Sequence, residues 1–156
     1  MPNVNEIAAY LLTKQDTQAG DAITHLKLQK LAYYAEAWHL AVFDGPLTDE
    51  PFEAWVHGPV SRRLYDKYGG YKWSAIQSPS ETEYAELSGT QREFLDEVWE
   101  VYGGFSAKHL ENLTHKEAPW REARNGLSPI ERSQTPISSE TMKRYYGSLL
   151  ESDVEE

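Results

Sequence analysis

Apolar residues recur along much of this chain at intervals of three and four, the spacing of a helix with one buried face. Val4, Ile7, Ala8, Leu11 and Leu12 mark a first helix ending at about Lys14. Asn3 and Glu6 stand three apart at its start, as a reciprocal capping pair requires. Residues 15–21 (QDTQAGD) read as a polar link, and Thr24 then opens the strongest helical pattern. In THLKLQKLAYYAEAWHLAVF, Leu28, Leu31, Ala35, Trp38 and Val42 form one stripe, widened by Tyr34 and Ala41. A stripe this broad faces a core. Lys27, Lys30 and Glu36 lie mostly off it. DGPLTDEP, with Gly45 and two prolines, ends the helix.

The pattern then changes. FEAWVH alternates over residues 52–57, as a short strand or extended piece does. Gly58-Pro59 turns the chain, and Pro59 suits the first position of a helix because it has no N–H to satisfy. That helix, VSRRLYDKY, stops at Gly69-Gly70. Residues 71–89 are mixed and polar and read mostly as loop. Thr90 and Glu93 predict a capping box for a helix carrying Phe94, Leu95, Val98, Trp99 and Tyr102, stopped by Gly103-Gly104. Ser106 caps a short helix and Pro119 starts another turn. A loop over 125–136 follows. Ser138 or Ser139 caps a last helix running to about Leu150, before an acidic tail. The sum is a mainly α protein: a single compact helical domain, residues 1–150, of about six to seven helices with one or two short strands. Residues 151–156 are expected to be a disordered tail.

Composition narrows the function classes. Hydrophobic residues make up 40% of the 156 and aromatics 12%, so the body of the chain should fold. There is no cysteine, which removes disulfides, thiolate nucleophiles, iron–sulfur clusters and Cys-type zinc sites. The first residues lack the basic start of a signal peptide, and no apolar run approaches the roughly 20 residues of a membrane helix. The expectation is a soluble, cytoplasmic protein with no membrane partner. A formal net charge of −10 weighs against a nucleic-acid partner, which needs a cationic footprint. Seven acids and one arginine fall between Glu81 and Glu100, and the tail adds four more acids. They read as a solvated helix face and a frayed end, or as a surface that attracts a basic protein.

The stretch EAWVHGPVSRRLY resembles the lining of an active site. Ser61, however, sits at a helix start with no G-x-S-x-G elbow, which favours a capping role over a nucleophile. The histidines (25, 39, 57, 109 and 115) form no metal motif, and no pair stands four apart. No phosphate-binding loop is present. Catalytic residues, metal sites and cofactors are therefore all expected to be absent. Three polar clusters with aromatic neighbours remain: Lys27, Gln29 and Lys30; His57, Gly58, Pro59, Arg62 and Arg63; and Thr114, His115, Glu117, Pro119, Trp120 and Arg124. They are either internally paired, with arginines closing on Glu36, Glu53 or Glu117, or part of a binding surface. As a strand-to-helix corner, the stretch uses Trp55 as a packing anchor. Arg62 and Arg63 on the first helical turns are disfavoured by the positive helix end, which implies an acidic neighbour or a partner protein.

These clusters, in order, resemble a known family. KLQKLAYYAEAWHLAVFDGPL, then FEAWVHGPVSRRLY, then LTHKEAPWREAR are similar to the signature of the Panacea domain, the SocA-like antitoxin family. The resemblance runs from about residue 4 to residue 146, with one departure: the turn reads DGPL, without the family's spacer between Gly and Pro. It implies a mostly helical protein, not an enzyme, that neutralises a toxin encoded beside it, often on phages and other mobile elements. Most members bind their toxin directly; the SocA type delivers its toxin to a Clp-type protease. Carried onto this chain, the partner-binding or motif-core positions are Lys27, Gln29, Lys30, Tyr34, Trp55, His57, Gly58, Pro59, Arg62, His115, Glu117 and Trp120. Two rivals stand beside this reading: a phage or mobile-element protein that binds a host protein without a cognate toxin, and a hydrolase using His57 or His115 as base.

Overall fold

In a computed structural model of the chain, residues 1–16, 20 and 22–155 are described, with side chains described as far as Glu151. Most of the polar link at 15–21 and most of the acidic tail's side chains lie outside the described residues. Among the described residues, seven α-helices and one two-stranded antiparallel sheet make a mainly α fold. The helices are α1 (Val4–Leu12), α2 (His25–Phe43), α3 (Arg62–Tyr68), α4 (Gly89–Tyr102), α5 (Ala107–Lys116), α6 (Ala118–Arg124) and α7 (Ser139–Glu155). The strands are β1 (Glu53–Trp55) and β2 (Gly58–Val60). Among the described residues, a short 3-10 turn at Gly69–Tyr71 follows α3 at the predicted glycine stop, and another, Glu81–Glu83, falls in the segment read as loop.

α2 is the axis of the fold. It packs against α1, α4, α5, α7 and β2, with α7 making the most extensive contact. A helix enclosed this way has little solvent face left, and Leu28, Leu31, Tyr33, Tyr34, Ala35 and Ala37 are all buried. So are Lys27, Lys30 and Glu36, although they lie mostly off the apolar stripe. The reason is that each has a buried polar partner, which offsets the cost of leaving water. Lys27 Nζ donates to the Gly103 carbonyl at 2.6 Å, at the C-terminal end of α4 where cations are favoured. Glu36 Oε1 accepts from the N–H groups of Leu47 and Thr48. Val42, placed in the stripe by spacing, is exposed instead, because it lies in the last turn of α2.

Several starts and stops follow local chemistry. Asn3 and Glu6 form the expected capping box. Ser106 Oγ accepts from the His109 N–H, and Ser138 Oγ from the Thr141 N–H. The box of α4 is Ser88 with Gln91, not Thr90 with Glu93. The same spacing occurs twice there, and Ser88 has the extended backbone that a cap needs. α7 continues to Glu155, past the end near Leu150 that the pattern predicts.

Pro59 does not begin a helix. Gly58-Pro59-Val60 is a strand, paired as Glu53↔Val60, Ala54↔Pro59 and Trp55↔Gly58, with Val56-His57 as a two-residue link. Ala54 directs its N–H to the Thr135 carbonyl at 2.9 Å and its own carbonyl accepts from Arg124 Nη1 at 3.0 Å, so Pro59 faces a residue that asks it for no donor. The helix begins three residues after Pro59, at Arg62, with Ser61 as its cap.

Candidate functional site

Parts of the three polar clusters meet around β2: Gln29, Lys30 and Thr114 reach it, whereas Lys27 faces Gly103 and Glu117 faces Tyr34 and Tyr146. A strand at the edge of a small sheet leaves backbone groups unpaired, and buried ones must find partners. Here α2 supplies them from side chains. Gln29 Nε2 donates to the Ser61 carbonyl at 3.1 Å, and Gln29 Oε1 accepts the Ser61 N–H at 2.8 Å. Lys30 Nζ donates to the Pro59 carbonyl at 3.2 Å. Two side chains one residue apart thus take the place of a third strand.

Close approach of Lys30 requires glycine at 58. A β-carbon there would stand 2.6 Å from Lys30 Cε and 3.0 Å from Thr114 Oγ1. Gly58 also holds φ +112°, which side chains rarely tolerate. Lys30 is fully buried, and loss of hydration lowers its pKa to about 7, with Glu111 opposing the shift. His25, at the start of α2, is lowered to about 4 by burial and by Lys30.

α5 and α6 close the other side. Glu117 Oε1 accepts from Tyr34 Oη at 2.7 Å and from Tyr146 Oη at 2.9 Å, and Tyr33 and Tyr146 share a further bond at 3.2 Å. Burial raises the Glu117 pKa, and the two tyrosine bonds oppose the rise. Trp120 Nε1 donates to the Trp55 carbonyl at 2.8 Å, and Arg124 Nη1 to the Ala54 carbonyl at 3.0 Å. His115 stacks on Trp120, ring centres 4.0 Å apart, and burial lowers its pKa. Its Nε2 is buried without a hydrogen-bond partner among the described residues.

The corner at 53–65 resolves into similar pairings. Arg62 Nε donates to Glu53 Oε2 at 3.1 Å, and the guanidinium lies over the Trp55 ring. The acidic neighbour expected for an arginine at a helix start is therefore Glu53. Glu36 and Glu117, the other carboxylates considered, are engaged elsewhere. Arg63 offers its backbone N–H to Glu50. Ser61 Oγ accepts from the Leu64 N–H and donates to Glu50, so it caps α3. His57 is exposed and lies 3.3 Å from Glu111, which Lys108 also contacts. Burial alone would raise the Glu111 carboxyl; the contacts with Lys108 and His57 outweigh it and hold its pKa below the usual value.

Of the twelve positions singled out, Lys27, Gln29, Lys30, Tyr34, Gly58, Pro59 and Trp120 are buried. Trp55, His115 and Glu117 are half-buried, and only His57 and Arg62 are exposed. Above them opens a cleft of about 750 Å³ between the start of α2, the hairpin turn, α3 and two loops. Its rim carries Trp73, 81% exposed, and Ile130, 87% exposed. Both fall in aperiodic polar segments, where an isolated large apolar residue is the signal that the local sequence offers. Among the described residues, no three His, Asp or Glu side chains gather as a metal set, and no helix is long and apolar enough to cross a membrane.

The motif side chains of this helical fold are mostly spent on internal pairing, beneath an exposed aromatic cleft. The family model described as "Antitoxin SocA-like, Panacea domain" matches residues 28–121, well over half of the 156 residues. The chain belongs to that family, whose members are generally not enzymes. No curated protein and no solved structure matches it.

Proposed function

We propose that the protein is the antitoxin of a toxin–antitoxin pair and neutralises its cognate toxin by binding it directly. Membership of the SocA-like antitoxin family is the observation that carries this reading. The geometry supports it in two ways. The serine of the corner is committed as a helix cap, which disfavours the hydrolase alternative. The motif residues are mostly interior, so they maintain the scaffold while the exposed surface reads the toxin. Exposed Trp and Tyr side chains are the kind that anchor interfaces.

The acid between Glu81 and Glu100 is partly neutralised within the fold. Glu83 pairs with Lys67, and Asp96 with Lys14 and the Tyr10 hydroxyl. That leaves less of it to steer a basic toxin than its count suggests.

Co-expression with the product of the neighbouring gene, followed by affinity purification and size-exclusion chromatography, tests the proposal. A stable complex of fixed stoichiometry is expected. Failure to associate defeats it. If the toxin disappears from cells only when a Clp-type protease is present, the adaptor mechanism replaces direct neutralisation.

A further inference from the structure

The cleft has a chemical character that the chain as a whole does not. Four large side chains, Trp55, Tyr65, Trp73 and Ile130, give it an apolar wall and rim. Tyr65, Trp73 and Ile130 are exposed, and Trp55 is half-buried. Large apolar groups gathered at one concave surface mark an interaction site more strongly than scattered ones do. The volume of about 750 Å³ is enough for one or two anchoring side chains with the backbone between them.

Its charge is also distinct. The protein carries a net −10, yet no Asp or Glu lines the cleft. Lys72 and Arg132 do, and neither has an ion pair among the described residues. The nearest carboxylate in the hairpin, Glu53, is engaged by Arg62 and by Trp55 Nε1. Lys72 holds φ +54° and ψ −114°, a conformation rare for a residue with a side chain, immediately before Trp73. Strained backbone of this kind concentrates at ligand-holding positions. Unpaired cations beside an apolar wall complement a ligand that is itself apolar and acidic.

Aromatic rings with cations are also used to hold single-stranded nucleic acid. Two unpaired cations are a small footprint against the phosphates of even a short strand, and the rest of the molecule repels a polyanion. A protein segment with one or two carboxylates suits the cleft better.

We infer that the cleft between the β1–β2 turn, α3 and residues 130–134 is the toxin-docking site, and that it takes a toxin segment carrying an apolar anchor flanked by Asp or Glu. The inference rests on the antitoxin reading above. The anchor inserts among Trp55, Tyr65, Trp73 and Ile130, and its carboxylates pair with Lys72 and Arg132.

The test measures binding of the neighbouring-gene product to the wild type and to three variants. W73A/I130A is expected to bind ~30-fold more weakly or worse, the effect of losing a hot-spot anchor. K72E/R132E is expected to associate roughly tenfold more slowly at low salt and to lose most of its salt dependence. V101D alters an exposed apolar residue on α4, away from the cleft, and is expected to bind as wild type. Unchanged thermal midpoints for all three guard against misfolding. A photo-crosslinker at position 73 should capture a toxin peptide containing Asp or Glu.

If the wild type binds and W73A/I130A binds within threefold of it, the docking site is wrong and the antitoxin reading stands. If the wild type does not bind, both fall. A captured peptide rich in Lys or Arg, or tighter binding of a single-stranded oligonucleotide than of the neighbouring-gene product, also overturns the assignment.

Discussion

Lys30 fills the space that a side chain on Gly58 would need. The lysine rises from the central helix, bonds the Pro59 carbonyl and passes 2.6 Å from where a β-carbon on Gly58 would sit. Two motif blocks separated by nearly thirty residues are thereby one device: a glycine that admits a lysine, and a lysine that satisfies the strand the glycine begins.

Gly58→Ala should therefore destabilise the protein by roughly 2–4 kcal/mol, combining backbone strain with crowding against a fully buried neighbour. Urea denaturation measures it. In a Lys30→Ala background the same change should cost less, because the crowding is gone. Equal costs in both backgrounds would show that the two residues do not interact.

Lys30 also gives stability a pH dependence. Its folded pKa is about 7, below the ordinary 10.5, so between those values the unfolded chain binds more protons than the folded one. Stability then rises with pH, by up to about 1.4 kcal/mol per unit. His25, lowered to about 4, acts in the same direction but only below about pH 6.5. The raised Glu36 and Glu117 act in the opposite direction, at acidic pH. Denaturation midpoints of the wild type should climb from pH 7 to pH 9, and those of Lys30→Met should stay flat. Parallel curves would contradict the buried lysine.

Gln29→Leu removes both bonds to Ser61 and leaves its buried N–H without a partner, at a cost of roughly 2–4 kcal/mol. Hydrogen exchange at the Ser61 amide should accelerate more than at amides of α7. Retained protection there would mean that another acceptor takes over.

Much of this architecture is legible in the sequence, and the misreadings share a cause. Helices with one apolar face appear where spacing places them, and Asn3, Glu6 and Ser106 cap as their positions predict. Lys27, Lys30 and Glu36 lie mostly off the apolar stripe, and their burial depends on partners 76, 29 and 11 residues away, which no local pattern encodes. Pro59 fits a helix start or a strand position that needs no donor, and only the pairing with Ala54 decides between them. The cleft was invisible for a different reason: Lys72, Trp73, Ile130 and Arg132 come from two separate segments without periodicity, joined only by the fold.

The two tryptophans Trp120 and Trp73 should separate scaffold from surface. Trp120→Ala empties a buried site and removes the bond to the Trp55 carbonyl, which predicts a loss of roughly 3–5 kcal/mol. Trp73→Ala should change stability by no more than about 0.5 kcal/mol. Thermal melts of the two variants make the comparison, and a large loss for Trp73→Ala would place it in the core rather than on an interface.

The most direct test of the antitoxin role is growth of cells expressing the neighbouring gene product, with and without this protein, alongside the abundance of that product. The account predicts that the product arrests growth alone, and that co-expression restores growth while its abundance is undiminished. Harmlessness of the product alone, or growth arrest that persists with both proteins present, would contradict it.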